Sequence, residues 1–107
     1  MEIKQYSITL VNLDPTVGSE INKTRPCVII SPNEMNKYIR TVIIAPMTSQ
    51  TRDYPTRVAV KNDNKKGWIA LDQIRTIDKA RIVKTLDTLT TKEIEKLKLV
   101  LKEMLID

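Results

Sequence analysis

Histidine is absent from this chain, and cysteine occurs once, at Cys27. Without an imidazole, a Ser-His-Asp triad, a Cys-His dyad and a two-histidine ribonuclease site are all excluded, and structural zinc sites built from Cys and His go with them. A lone cysteine closes no intramolecular disulfide. Phenylalanine is missing too, and aromatics make up only 4% of the chain. The core must therefore rest on Ile, Val and Leu, a mixture that favours strands. Two Gly and five Pro among 107 residues, with 41% hydrophobic and 29% charged, exclude disordered, collagen-like and low-complexity classes. No apolar run approaches the ~20 residues of a membrane span. The start MEIKQYSITL has no apolar core of the signal-peptide kind, which predicts a cytoplasmic protein with no membrane partner.

A chain of 107 residues is the size of one domain and predicts a single unit over 1–107. Eighteen Lys and Arg stand against thirteen Asp and Glu, a net charge of +5, which suits a polyanionic partner without establishing one. The excess is uneven: residues 1–86 carry 14 basic and 8 acidic side chains, residues 87–107 carry 4 and 5. A nucleic-acid surface is expected on the body rather than on the tail.

Five to seven short strands are expected. Ser7 to Leu13 is rich in β-favouring residues and runs into the turn-forming Asp14-Pro15-Thr16-Val17-Gly18-Ser19. Cys27 to Ile30 and Val42 to Ala45 are short apolar runs closed by Ser31-Pro32-Asn33 and by Pro46, which reads as strands buried on both faces. Thr56 to Lys61 alternates, and Asn62 to Gly67 reads as a hairpin loop leading into a strand from Trp68 to Leu71. A last strand is expected over 81–86. The tail differs in kind: Ile94, Leu97, Leu101 and Met104 recur at helical spacing over 91–106. Thr90 and Glu93 are placed for a capping box, and Leu89 and Ile94 for a hydrophobic staple. With no helices between the strands, the economical architecture is a mainly β, small antiparallel barrel with one C-terminal amphipathic helix.

Two polar loops are the candidate site. The first, residues 14–26, ends in Arg25-Pro26 at the start of a buried strand, where a guanidinium is well shaped for a bidentate phosphate contact. Pairing of Arg25 with Asp14 or Glu20 to hold the loop is an equally open use of it. Lys23 adds a second cation. The second loop, residues 46–55, offers the Thr48 and Ser49 hydroxyls at a strand end, Arg52 as a cation, and Tyr54, which could stack on a base or close the barrel mouth.

In order along the chain, Asp14-Pro15-Thr16, Gly18-Ser19-Glu20, Arg25-Pro26, Val28-Ile29-Ile30-Ser31-Pro32, Pro46-Met47-Thr48, Tyr54-Pro55 and Leu71-Asp72-Gln73-Ile74-Arg75 resemble the MazF/PemK family of toxin endoribonucleases over residues 6–106. The resemblance implies an SH3-like barrel of the kind shared with CcdB toxins, and a homodimer. It also implies cofactor-free, metal-independent cleavage of single-stranded RNA at short sequence motifs. A cognate antitoxin, with an acidic, partly disordered segment, would block the site. Carried over, Arg25 and Thr48 form the catalytic pair, and Ser19, Glu20 and Gln73 help to hold RNA, with Lys23, Ser49 and Arg52 beside them. The first strand departs from the family pattern, reading Gln5-Tyr6-Ser7-Ile8 where many members have a Gly-Asp-Ile-Trp-like start. Two other functions fit the same composition: a CcdB-like gyrase inhibitor, and a non-catalytic nucleic-acid-binding barrel.

Overall fold

The computed structural model describes residues 2–49, 54–62 and 65–106, with the backbone alone at 61, 62, 65 and 66. Among these residues seven strands and two helices follow in the order β1 (Ser7–Asn12), β2 (Thr24–Ile29), α1 (Asn33–Tyr38), β3 (Thr41–Thr48), β4 (Arg57–Asn62), β5 (Lys65–Ala70), β6 (Arg75–Asp78), β7 (Ile82–Thr88) and α2 (Thr91–Leu105). Short 3-10 turns occupy 71–73 and 79–81. All strand pairs are antiparallel, in the order β4-β5-β3-β2-β1-β7, with β6 added to β3. The mainly β architecture with a C-terminal helix is as expected, but the sheet is not closed: β4 and β7 stand at its two ends with no ladder between them.

Two hydrophobic cores lie on opposite faces of this sheet, which is why its central strands are apolar at successive positions. Val28 and Ala45 enter one core, with Ile8, Val58, Val60, Ile69 and Leu71. Their neighbours Cys27, Ile29 and Ile44 enter the other, with Val11, Leu13, Val42 and Ile77. The helix α2 caps the first core through Leu97 and Val100. Its start is set as the local sequence predicts. The Glu93 N–H donates to the Thr90 hydroxyl (3.2 Å) and the Thr90 N–H donates to the Glu93 carboxylate (2.8 Å), completing the capping box. Leu89 is buried against the same core, with Ile94 beside it.

Four elements differ from the expectation. First, β3 does not stop before Pro46 but runs on to Thr48. The Ile30 N–H donates to the Ile43 carbonyl (2.8 Å), so residues 43 and 45 turn their backbone groups to β2 and Pro46 turns the other way. On that flank the β6 ladder ends at Ile44 and the β5 ladder starts at Met47, so the missing N–H of Pro46 falls where no ladder needs it. Second, β5 starts at Lys65, pairing Asn62 with Lys65 and Val60 with Gly67, so the hairpin is tighter than the predicted 62–67 loop. Its residues 63 and 64 lie outside the described set. Third, a second helix, α1, follows Pro32. Six residues carry no readable helical period, and tertiary bonds hold it instead: the Ser31 hydroxyl donates to the Asn36 side chain, Asn36 Nδ2 donates to the Ser31 carbonyl (2.9 Å), and the Ile43 N–H donates to Ser31 Oγ (3.1 Å). Fourth, β6 forms along Thr41–Ile44 with only Ile77 buried, and β7 begins at Ile82, after a turn in which the Asp78 carboxylate accepts from the Ala80 N–H (2.8 Å).

Leu97 is fully buried, and Leu97→Ala is expected to lower the unfolding free energy by about 2–5 kcal/mol. Loss of the cap in Thr90→Ala should cost ~1 kcal/mol. Urea denaturation of the two variants beside the wild type checks both the size and the order of these effects.

Candidate functional site

The connection from β1 to β2 is irregular, yet firmly tied to the body. The Leu13 N–H donates to the Lys23 carbonyl (3.0 Å), and the Lys23 N–H, at a left-handed φ of 68°, donates to the Asp14 carboxylate (3.1 Å). Arg75 Nη1 donates to the Leu13 carbonyl (3.1 Å), and Arg81 Nη1 bonds the carbonyls of Asn12 and Asp14. Gly18 turns the loop at φ 58°, a conformation that suits a residue without Cβ. Beyond it, Glu20 closes its own turn by accepting from the Val17 N–H (2.6 Å). The loop is then pinned to the 71–73 turn, where the Ile21 N–H donates to Gln73 Oε1 (2.7 Å). An N–H can only donate, so this bond fixes the Gln73 amide with its oxygen toward the loop and leaves its NH₂ as the donor for a ligand.

Between this loop, the end of β3 and the start of β4 lies a cleft of about 600 Å³, lined by Ser19, Ile21, Thr48, Tyr54, Pro55, Thr56, Arg57, Asp72 and Gln73. It brings together three predicted residues, Ser19, Thr48 and Gln73, from three separate parts of the chain. Thr48, 8% exposed, closes β3, where a rigid strand end presents it.

Arg25 is not among the lining residues. It belongs to β2, on the sheet face that carries Cys27, two residues before the Cys27–Pro46 pair at which the β2–β3 ladder ends. Its Nε donates to the Asn22 carbonyl (2.8 Å), while Asp14 and Glu20 bond loop backbone, so the expected alternative of an ion pair to either acid is not what the loop uses. Lys23 and Ser49 are exposed and stand outside the lining, as does Glu20. Arg52 lies outside the described residues.

One wall of the cleft joins Tyr54 and Asp72, both in the motif series, to Thr56 and Arg57, which the strand-by-strand pattern gives no reason to single out. Arg57 bonds Asp72 through two parallel contacts, Nε to Oδ1 at 3.1 Å and Nη2 to Oδ2 at 3.2 Å, and the Thr56 hydroxyl donates to Oδ1 at 3.1 Å. The guanidinium sits 5.2 Å from the centre of the Tyr54 ring. The β4–β5 pairing sets Arg57 opposite Ala70, and the 71–73 turn that follows β5 brings Asp72 to it; the opposite charges of these two residues are the signal that finds this wall. Burial works to raise the Asp72 carboxyl, but the bonds from Arg57, from its own backbone and from Thr56 outweigh it and hold it below the usual carboxylate range.

Burial pushes the Cys27 thiol up to about 12 against the fields of Arg75 and Arg25. It therefore stays protonated near neutral pH and is no nucleophile. Among the described residues, no group of three or more Cys, Asp or Glu is placed to hold a metal ion. No helix among them is long and apolar enough to cross a membrane.

Comparison with known proteins gives this arrangement its place. Residues 4–105 match the PemK-like, MazF-like toxins of type II toxin–antitoxin systems. The chain is 35% identical over 99 residues to an Endoribonuclease MazF of Staphylococcus saprophyticus, covering 87% of this chain and 82% of that one. In fold it is similar to a crystal structure of MazF from Deinococcus radiodurans, with a TM-score of 0.88 at 21% identity over 98% of this chain and 97% of that one. It is also similar to an endoribonuclease from a mycobacterial species in complex with its cognate antitoxin, with a TM-score of 0.82 at 23% identity over 96% and 94%. The chain belongs to the PemK/MazF family of type II toxins.

Because the Asp72 carboxyl is held low in the folded protein, its ion pair stabilises fully above the unfolded value of ~3.9 and is lost as pH falls through the lower folded value. The stability gap between wild type and Asp72→Asn should therefore narrow as pH falls from about 5 through the carboxylate range. Urea midpoints of the two proteins across that range check it.

Proposed function

We propose that the chain is a sequence-specific endoribonuclease toxin that cleaves single-stranded mRNA in the cytoplasm, works as a homodimer and is silenced by a cognate antitoxin. The observation that carries this reading is the convergence of Ser19, Thr48 and Gln73 on one cleft in a chain of the PemK/MazF family.

The chemistry asks little of the protein. RNA brings its own nucleophile: the 2′-oxygen bonds to phosphorus, the P–O5′ bond breaks, one proton leaves the 2′-hydroxyl and one arrives at O5′. The protein has to align the chain and offset the charge that builds on the phosphorane. Arg25 supplies a cation with a planar donor fork, which suits it to offsetting the charge on the phosphorane. Thr48 donates to a non-bridging phosphate oxygen. Gln73 binds RNA through its NH₂ and Ser19 through its hydroxyl, while the exposed Lys23 and Ser49 meet the chain outside the cleft. Glu20 supports RNA binding indirectly, by holding the 17–20 turn. Leu99, Leu105 and Ile106 remain exposed on or beside α2, an apolar surface that a second copy would cover.

Incubation of the pure protein with single-stranded RNA in EDTA is expected to give cleavage with 2′,3′-cyclic phosphate or 3′-phosphate ends and a 5′-hydroxyl. A 2′-O-methyl group at the scissile nucleotide should block it. Cutting of the methylated RNA at a normal rate would sink the mechanism.

Arg25→Ala should abolish turnover, and Arg25→Lys should restore little, because a point charge does not reproduce the fork. Thr48→Val keeps the volume and should slow cleavage by roughly 10²-fold, the scale for loss of one transition-state donor. Single-turnover rates, with thermal unfolding as a check on the fold, decide the assignment.

A further inference from the structure

The wall formed by residues 54–57 has no role in the proposed phosphate chemistry, yet it is the most carefully held part of the cleft. Tyr54 lines the cleft and is 44% exposed. The guanidinium over its ring belongs to Arg57, whose side chain is only 10% exposed and is locked by both oxygens of Asp72. Asp72 in turn accepts from two Arg57 nitrogens, the Thr56 hydroxyl and its own backbone N–H, which saturates the roughly four acceptor positions of a carboxylate. Neither charge is left to read a base. What they accomplish together is to fix the plane of one aromatic ring, half in solvent, beside Thr48 and Gln73.

We propose that Tyr54 is the base-stacking shelf of the site and a determinant of its sequence preference, with Arg57 and Asp72 as positioning residues that hold the shelf in place. The proposal rests on the endoribonuclease reading above. Single-stranded nucleic acid is gripped by stacking its unpaired bases on aromatic rings, which any base can do. Preference then comes from polar groups at the edge of the stack. Here those are the Gln73 NH₂, turned to the ligand by the Ile21 bond, and the Ser19 hydroxyl. Tyr54 and Thr48 share one cleft, so the stacked base belongs to a nucleotide next to the scissile phosphate rather than to a distant part of the motif. Among the described residues, Tyr54 is the one aromatic side chain in the lining.

The test uses the full chain and a random-sequence single-stranded RNA pool whose cut ends are sequenced. Tyr54→Leu should raise KM by roughly 10-fold, within the range for loss of one stacked base, with a smaller change in kcat. It should also flatten the base preference at one position adjoining the cut while leaving the others intact. Tyr54→Phe should rescue both. Asp72→Asn, which frees Arg57, should flatten the same position in part. An oligonucleotide blocked by 2′-O-methyl at the scissile sugar and carrying 2-aminopurine at that position should be quenched by the wild type and by Tyr54→Phe, and not by Tyr54→Leu.

Unchanged KM and unchanged preference in a folded Tyr54→Leu protein, beside an active wild type, would overturn the shelf and leave the endoribonuclease standing. A Tyr54→Leu variant that cuts normally but escapes its antitoxin would overturn it as well and assign the ring to the protein partner. A wild type that cuts no RNA removes both readings at once. Should Tyr54→Leu fail to fold by thermal unfolding, Tyr54→Gln takes its place in the same three measurements.

Discussion

The molecule depends on a change of partners along β3. Its first half pairs with β6, its middle with β2, and its last two residues with β5, so one strand joins three others and delivers Thr48 to the cleft. Pro46 sits at the handover, where its ring takes the place of a donor that neither flanking ladder uses. With apolar residues on both faces of this strand, a register slip would exchange the two cores, and the pairing is therefore strongly specified. Thr48 gains its position from that constraint.

An open sheet leaves two ends to be managed. At one end β4 is backed by α2, whose Leu97 and Val100 share a core with Val58 and Val60. At the other, β7 exposes Val83 and Leu86. The helix thus does for β4 what ring closure would do for a barrel, covering apolar surface that the sheet does not cover itself. Its capping box makes the start of that cover a local matter, set by residues 90 and 93.

What was legible from the chain follows the range of the signal. The strands at 7–13, 27–30, 42–45, 56–61 and 68–71 and the helix from 91 are written in local apolar pattern and capping residues, and each is present with shifted ends. The four-residue β6 carries little pattern of its own; Arg75-Thr76-Ile77-Asp78 is a strand because β3 offers it a ladder. Helix α1 likewise owes its place to Ser31 and Asn36. In the candidate site, Ser19, Thr48 and Gln73 line one cleft, whereas Arg25 stays on its strand outside the lining. The Arg57–Asp72 pair is legible only once β4 is laid against β5 and the turn after it, because Arg57 by itself reads as one more solvated face.

Gln73 has a consequence of a different order. One end of its amide belongs to the fold, gripping the backbone of Ile21, and the other belongs to whatever occupies the cleft. The 14–24 loop and the binding surface therefore share a hinge pin. A segment that draws the loop outward releases the amide to turn, and the cleft then loses the orientation of its donor.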